Sequence, residues 1–481
     1  MRKLKIALVI DWIGFQEIYS LPIISAIAKQ RGHVTELFEF GPSPRKAAKR
    51  IAAFAPDIVG YSVSSNESQR YLEINRELKS RLDFFALFGG PHPTFFPRFI
   101  EKDGVDAICR GEADLSLPEF LDHFGTDKMH EVSNFWVKAG DGTVSQNPLA
   151  DLVEDLDSVP MMDRDLLYAR SRFLAASPIK GFFSGRGCPY SCSYCFNHAY
   201  NAMYRGKGRV VRRRSVSHFL DEIKTVAAGY PLGLIRIMDD TFGMDAEWLD
   251  EFAARYPKEV GLPFTCQARP NILTDDYCQR LKASGCHAVL MAVECSNEHL
   301  RKTVANRRIT NDQIEQGCEN LKRRGIRIGT YNMLGVPGET EQDLLHTVEL
   351  NQRAGVDYAE ASILQPYPGT RINDYCKQEG YLGDEAECFG GQYSSSVLDF
   401  SKRFKQTVYV IHKLFPMMVD HPRIRSLLPV FYKAPWLNRA LDFVYRLYYG
   451  INMHRRLYGS QIPLALRVHQ SLRFFFAPSR S

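Results

Sequence analysis

Cys188, Cys192 and Cys195 lie in Gly187-Cys188-Pro189-Tyr190-Ser191-Cys192-Ser193-Tyr194-Cys195-Phe196-Asn197, three thiols spaced CxxxCxxC. Thiolates at such spacing hold an iron–sulfur cluster or zinc. A 4Fe-4S cluster ordinarily takes four thiolates, so three leave one iron open. A structural zinc site would want a fourth Cys or His, and His198 is close enough in sequence to close that tetrahedron.

The loop needs a scaffold, and the hydrophobic pattern supplies one. From Gly181 onward six strand–helix units can be counted, with strands at Phe182-Phe183-Ser184, 234–238, 264–267, 288–293, 326–331 and 359–364. Six units predict an open β/α barrel, and barrel enzymes keep chemistry on the loops after their strands. The cysteines follow the first strand, and Asp239-Asp240-Thr241-Phe242 follows the second. Gln267 and Arg269 close the third and Glu294 ends the fourth. Asn332 and Gly335-Val336-Pro337-Gly338-Glu339 end the fifth, and Gln365-Pro366-Tyr367-Pro368-Gly369-Thr370 ends the sixth. Each has a structural alternative: Asp239 or Asp240 as a helix N-cap, Glu339 serving the first turn of the next helix, the prolines and glycines as turn residues.

Upstream, residues 1 to about 125 alternate strand and helix signals over five units, which predicts a doubly wound, Rossmann-like, mostly parallel sheet. Its ligand belongs at the carboxyl ends of the strands, where the strand order reverses. Those ends carry Asp11-Trp12-Ile13-Gly14, Ser62-Val63-Ser64-Ser65, Gly89-Gly90-Pro91-His92 and Arg110-Gly111-Glu112. The expected domains are 1–135, a linker over 136–175, the partial (β/α)6 barrel over 176–385, and a helical C-terminal region over 386–481.

The CxxxCxxC loop at the head of these six rim segments resembles the radical S-adenosylmethionine (SAM) superfamily. With the N-terminal sheet, the chain resembles its cobalamin-dependent branch over most of its length. The resemblance implies a 4Fe-4S cluster on Cys188, Cys192 and Cys195, with the amino and carboxylate groups of SAM on the open iron. Reduction through the cluster would then cleave SAM to methionine and a 5′-deoxyadenosyl radical. It implies SAM contacts from Asp239, Asp240, Gln267, Arg269, Glu294, Asn332 and Gly335, the last in a GxPGE turn near the adenine. In the N-terminal domain it implies cobalamin contacts from Trp12, Ser62, Ser64, Gly89 and Gly90. The chain departs from relatives that supply a histidine to cobalt within DxHxxG after the first strand: Ile13 stands for the histidine and Gln16 for the glycine.

The implied activity is methylation of an unactivated carbon, or of phosphorus, with methylcobalamin as methyl donor and a second SAM to remethylate cobalt. The same parts would serve a cyclase or rearrangement enzyme, and an inactive barrel would leave a cobalamin-binding regulatory protein. Methylthiotransferase chemistry lacks its second cluster, because only Cys109 precedes the triplet. An electron donor such as flavodoxin or ferredoxin is implied, with a small-molecule or lipid substrate.

Composition bounds the rest. At 481 residues and 45% hydrophobic content the chain is long enough for two or three packed domains. No signal peptide and no run of eighteen uncharged apolar residues is found, which predicts a cytoplasmic protein. The other eight cysteines, from Cys109 to Cys388, lack ligand spacing and read as core residues. The net charge of +6 is uneven, because residues 401–481 hold fourteen Lys or Arg against Asp420 and Asp442. That basic, aromatic tail, ending in Leu472-Arg473-Phe474-Phe475-Phe476, suits packing on the barrel or contact with an anionic membrane surface. It carries no recognisable RNA-binding motif, and nucleic acid is not expected as a partner. The run Arg205-Gly206-Lys207-Gly208-Arg209-Val210-Val211-Arg212-Arg213-Arg214-Ser215 suits a solvated face or a cationic lid over SAM or an anionic substrate.

Overall fold

Near-continuous apolar runs such as Ile6 to Ile10 bury both faces of a strand, as parallel sheets covered by helices require. The computed structural model describes residues 2–14, 17–41, 43–383, 393 and 395–458, and these divide into two compact units. Gln16, Cys388 and the 472–476 segment lie outside the described residues.

The first unit comprises residues up to Ala176 together with Ala202–Arg212. Its strands are β1 (Lys5–Ile10), β2 (Val34–Glu39), β3 (Ile58–Ser62), β4 (Phe85–Gly89), β5 (Ala107–Cys109), β6 (Phe135–Lys138) and β7 (Val144–Gln146), in the order β2-β1-β3-β4-β5-β6-β7. The first five pair in parallel, and β6 and β7 add antiparallel. This is the doubly wound order whose switch point lies between β1 and β3, so the loops after those strands flank the ligand crevice. Residues 136–175, expected as a linker, instead extend the sheet through β6 and β7 and then form the helices Arg164–Tyr168 and Arg172–Ala176. Phe135 stacks on Phe120 with ring centroids 4.2 Å apart, which ties this extension to the core. Its short strands carry too few residues to show the period-two pattern that marks a sheet in sequence.

The second unit comprises 177–201 and the chain from Arg213 onward. Its strands are β8 (Ile179–Phe182), β9 (Leu234–Ile237), β10 (Phe264–Gln267), β11 (Cys286–Glu294), β12 (Arg327–Leu334) and β13 (Tyr358–Ile363). They lie in sequence order as one parallel, open sheet of six. The first strand begins three residues earlier than its apolar run suggests. Lys180 hides that start, and it is buried with its ammonium 5.5 Å from the Tyr230 ring centroid.

Helices cover the outer face of this sheet. The helix Asn311–Arg323 opens on a Thr310/Gln313 capping box, and Glu341–Ala354 on a Thr340/Asp343 box. The C-terminal region is part of the same core. Val408, Ile411, Leu414 and Phe415 of the helix Lys402–Asp420 pack on Leu334, Leu344, Ala359 and Ile363. At the end of the helix Asn438–Leu457, Leu457 and Tyr458 cover the other face at Leu234, Ala288 and Leu290. Among the described residues no helix is long and apolar enough to cross a membrane.

Candidate functional site

The segment that follows β8 is short of regular structure, and neighbouring segments hold it. Ser193 N–H donates to the Ala305 carbonyl at 3.0 Å, and Asn306 Nδ2 donates to the Ser191 carbonyl at 2.8 Å. On the other side Ile372 N–H donates to the Ser193 carbonyl at 3.0 Å, and Asn201 Nδ2 to the Cys188 carbonyl at 2.9 Å. The loop carrying the three cysteines is thus fixed by residues after β11 and after β13.

His198 belongs to this bracing. Nδ1 lies 3.1 Å from the Cys192 carbonyl and 2.5 Å from that of Cys195, and Nε2 accepts from Arg371 N–H at 3.2 Å. An Nδ1–H tautomer satisfies all three contacts, so both ring nitrogens are taken by backbone and the imidazole is not a fourth metal ligand. No three His, Cys, Asp or Glu side chains among the described residues converge on a single-ion site. A 4Fe-4S cube takes one thiolate on each of three irons and asks for no such convergence.

Cys188 and Cys192 are buried and Cys195 is half-buried. Burial pushes the Cys195 thiol up to about 11 and raises that of Cys188. Thiolates here therefore need positive charge beside them. Arg269 Nη1 donates to Cys192 Sγ at 3.4 Å, its guanidinium stacked 3.6 Å over the Tyr190 ring, and Arg307 Nη1 approaches the same sulfur at 3.9 Å. Asn197 N–H donates to Cys195 Sγ at 3.5 Å. Three clustered thiols with N–H donors on their sulfurs fit an iron–sulfur cluster.

The rim residues expected around it separate into those that reach the loop and those that do not. Asp240 accepts from Asn197 Nδ2 at 3.1 Å. Asp239 accepts from Ser184 N–H at 2.8 Å and Gly185 N–H at 3.4 Å, which pins the β9 end to the β8 end. Burial raises the Asp239 carboxyl to about 6. Neither aspartate is a helix cap, because Asp245 caps Ala246–Glu259. Glu294 has φ of +67°, uncommon for a residue with a Cβ, at a register shift that ends β11. Its Oε1 accepts from Tyr194 Oη at 2.6 Å, so it touches the segment between two of the cysteines. Gln267 ends β10, where its carbonyl accepts from Phe242 N–H at 2.8 Å.

Asn332 stands apart from this group. Nδ2 donates to the Glu360 carbonyl at 2.9 Å and to Thr330 Oγ1 at 3.2 Å, and Oδ1 accepts from Asn351 Nδ2 at 2.8 Å. Its amide braces β12 to β13 and to the helix Glu341–Ala354. Gly335 (φ +78°) and Val336 both donate N–H to Glu339 Oε2 at 2.8 Å. Glu339 therefore closes its own turn and leaves the helix cap to Thr340.

In the first unit the loops after β3 and β4 interlock. Val63 N–H donates to the Gly89 carbonyl and His92 N–H to the Val63 carbonyl, both at 2.9 Å. Gly90 has φ of +95°, and a Cβ there would stand 2.7 Å from Val63 N, so this slot admits only glycine. Ser62 Oγ lies 3.0 Å from Ser20 Oγ, and Ser64 Oγ donates to Glu67 at 2.7 Å. Backbone walls and small hydroxyls beside the switch point fit the tail of a corrinoid. After β1, Asp11 pairs with Arg70 at 3.0 Å and Trp12 packs under Gly14. Ile13 is buried, its N–H donating to Glu39 at 2.8 Å. The position that carries a histidine in other relatives is an apolar core residue here.

The basic run is solvated in part, with Arg205 and Arg209 exposed, and several of its arginines are ion-paired. Arg212 holds Glu112 through two bonds at 2.6 and 2.9 Å, Arg209 pairs with Glu154 at 2.8 Å, and Arg214 pairs with Glu222 at 2.5 Å. Tyr204, in the same stretch, accepts from Glu112 N–H at 3.0 Å. Arg307, Asn306 and Tyr194 were not picked out by spacing, since they belong to no motif and follow or interrupt the segments that do.

Comparison with known proteins places two domains on the chain. Residues 182–350 match the radical SAM superfamily and 18–121 match the B12 binding domain. An uncharacterised methyltransferase of Pyrococcus horikoshii is 26% identical over 335 residues, 68% of this chain and 71% of that protein. The anaerobic magnesium-protoporphyrin IX monomethyl ester cyclase of Rubrivivax gelatinosus is 26% identical over 363 residues, 72% of this chain and 62% of the cyclase. The radical SAM methyltransferase TsrM of Kitasatospora setae, solved with cobalamin and a 4Fe-4S cluster bound, shares the fold at a TM-score of 0.64. The match has 17% identity and covers 79% of this chain and 76% of that one.

Proposed function

Since the chain belongs to the radical SAM superfamily and carries a B12 binding domain, we propose that it is a cobalamin-dependent radical SAM enzyme that methylates an unactivated carbon. The observation that carries this is the loop of Cys188, Cys192 and Cys195, with His198 turned to backbone so that among the described residues no fourth side chain completes the ligand set. When bound, the cluster and SAM supply a hydrogen-abstracting 5′-deoxyadenosyl radical and cobalamin supplies the methyl group. The protein's residues orient these parts. Arg269 lies against Cys192, Asp240 and Glu294 present carboxylates beside the loop for the amino group of SAM, and Gly335 shapes the turn for its adenine. Ser62, Ser64, Gly89, Gly90 and Trp12 would hold the corrinoid, and the loop after β1 offers the buried Ile13 where other relatives would offer a histidine.

A flavodoxin or ferredoxin delivers the electron, and the acceptor is a small molecule or a lipid. A hydrophobic acceptor is favoured by the surface of the helix Asn438–Leu457, where Val444, Leu447 and Ile451 are exposed on one face near Trp436, itself 79% exposed. Lys433 and Arg439 are exposed nearby, the composition of an anionic-membrane contact. The full chain is expected to float with anionic liposomes and a Trp436→Glu/Leu447→Glu variant to stay behind. Equal flotation removes the membrane contact.

The activity test is anaerobic reconstitution with iron, sulfide and cobalamin, followed by SAM, reductant and an extract of the source cells. S-Adenosylhomocysteine and 5′-deoxyadenosine formed together, in similar amounts and only with extract, support radical methylation. 5′-Deoxyadenosine alone points to cyclisation or rearrangement, as in the magnesium-protoporphyrin relative. Neither product from a cluster-loaded sample favours a regulatory cobalamin protein.

A further inference from the structure

The three cysteine sulfurs meet unequal surroundings. Cys188 and Cys195 receive backbone N–H groups, from Tyr190 and Asn197, whereas Cys192 receives two guanidinium groups, from Arg269 and Arg307. Arg269 is held by stacking on Tyr190 and by Asn271 at 3.3 Å. Arg307 is the more telling of the two. It is 4% exposed, donates through Nη2 to the Ala292 carbonyl at 2.6 Å, and leaves Nε without a partner. No carboxylate among the described residues lies within ion-pair distance of it.

Glu294 attracts this guanidinium only from beyond ion-pair distance, and burying a charge without a direct counter-ion is costly unless a further anion lies beside it. An iron–sulfur cube with thiolate ligands is net negative and gains one more unit of charge on reduction. A fixed cation beside a ligand sulfur stabilises the reduced form more than the oxidised form, and N–H groups on the sulfurs act in the same sense. Arg307 also grips the carbonyl two residues before Glu294, so it links the strand end that faces SAM to one cluster ligand.

We propose that Arg307 is a positioning residue that raises the reduction potential of the cluster through Cys192, so that a biological donor can reduce it. This rests on the three-thiolate cluster proposed above. The test is a potentiometric titration of anaerobically reconstituted full-length protein, followed by electron paramagnetic resonance, with iron content measured on the same samples. Arg307→Gln is expected to move the midpoint to a more negative value at unchanged iron content. Arg307→Lys, which keeps the charge but cannot serve both Ala292 and Cys192, is expected to move it less. Arg308→Gln, which removes an equal charge from the exposed neighbour of Arg307, is expected to leave it in place.

Midpoints in both Arg307 variants equal to that of the parent overturn the proposal, and so does an equal shift in Arg308→Gln. If Arg307→Gln does not retain the cluster, Arg307→Lys decides, and an unshifted midpoint overturns it. A parent that takes up no 4Fe-4S cluster is a different outcome, which removes the proposed function itself.

Discussion

Tyr194 donates its hydroxyl proton to Glu294 Oε1 at 2.6 Å, joining the residue between the second and third cysteines of the loop to the end of β11. Glu294 is held in a left-handed conformation there, and Tyr194 is one of the contacts that hold its carboxylate. Tyr194→Phe should leave iron content unchanged while weakening SAM binding about tenfold, the effect of roughly 1.4 kcal/mol. Equilibrium dialysis of the cluster-loaded variant against labelled SAM checks this, and parent-like affinity would detach Glu294 from SAM.

Gly90 is expected to be intolerant of a methyl group. Gly90→Ala combines a φ of +95° with a Cβ 2.7 Å from Val63 N, a strain of about 1–3 kcal/mol that must separate the loops after β3 and β4. The variant should fold with a lower Tm and retain less cobalamin after gel filtration, read from visible absorbance.

Asp442 neutralises a lysine that has almost no solvent. Lys413 Nζ lies 2.7 Å from Asp442, with 2% of its side chain exposed, and also donates to the Tyr393 carbonyl at 2.8 Å. Asp442→Asn strands that ammonium and should cost about 3–5 kcal/mol, measured by chemical denaturation. An unchanged midpoint would show that the helix Asn438–Leu457 does not depend on the pair.

Glu339 should make stability fall as pH rises. Burial lifts its carboxyl to about 8 from an ordinary 4.5, against the two N–H groups that favour the charged form. Below the unfolded value both states are protonated and the contribution is fully present. Between 4.5 and about 8 the folded state binds the extra proton, so the contribution is lost progressively up to the folded value. Glu339→Gln should flatten the Tm profile across that window, and a profile parallel to that of the parent would contradict the shift.

Much of the architecture was legible because parallel strands buried on both faces are continuous apolar runs, as in Ala288 to Val293. The exceptions have local causes. Lys180 interrupts the first barrel run yet is buried over Tyr230, and β6 and β7 are too short for a pattern. The cysteine loop was legible by spacing, but what holds it was not. Arg307 and Asn306 follow a short helix with no motif, and only tertiary contact brings them to Ser191 and Cys192. Asn332 was legible as a residue of the fifth strand, but its side-chain bonds to the Glu360 carbonyl and Asn351 depend on tertiary neighbours. Ion pairing of the basic run likewise depends on partners such as Glu112 and Glu154, remote in sequence.

The most direct measurement is electron–nuclear double resonance on the reduced, reconstituted protein with SAM labelled with 15N at its amino group. A cluster held by Cys188, Cys192 and Cys195 alone has an iron free to take that amino group, which predicts hyperfine coupling between the label and the cluster spin. A loaded cluster with SAM bound and no such coupling would contradict the open-iron site.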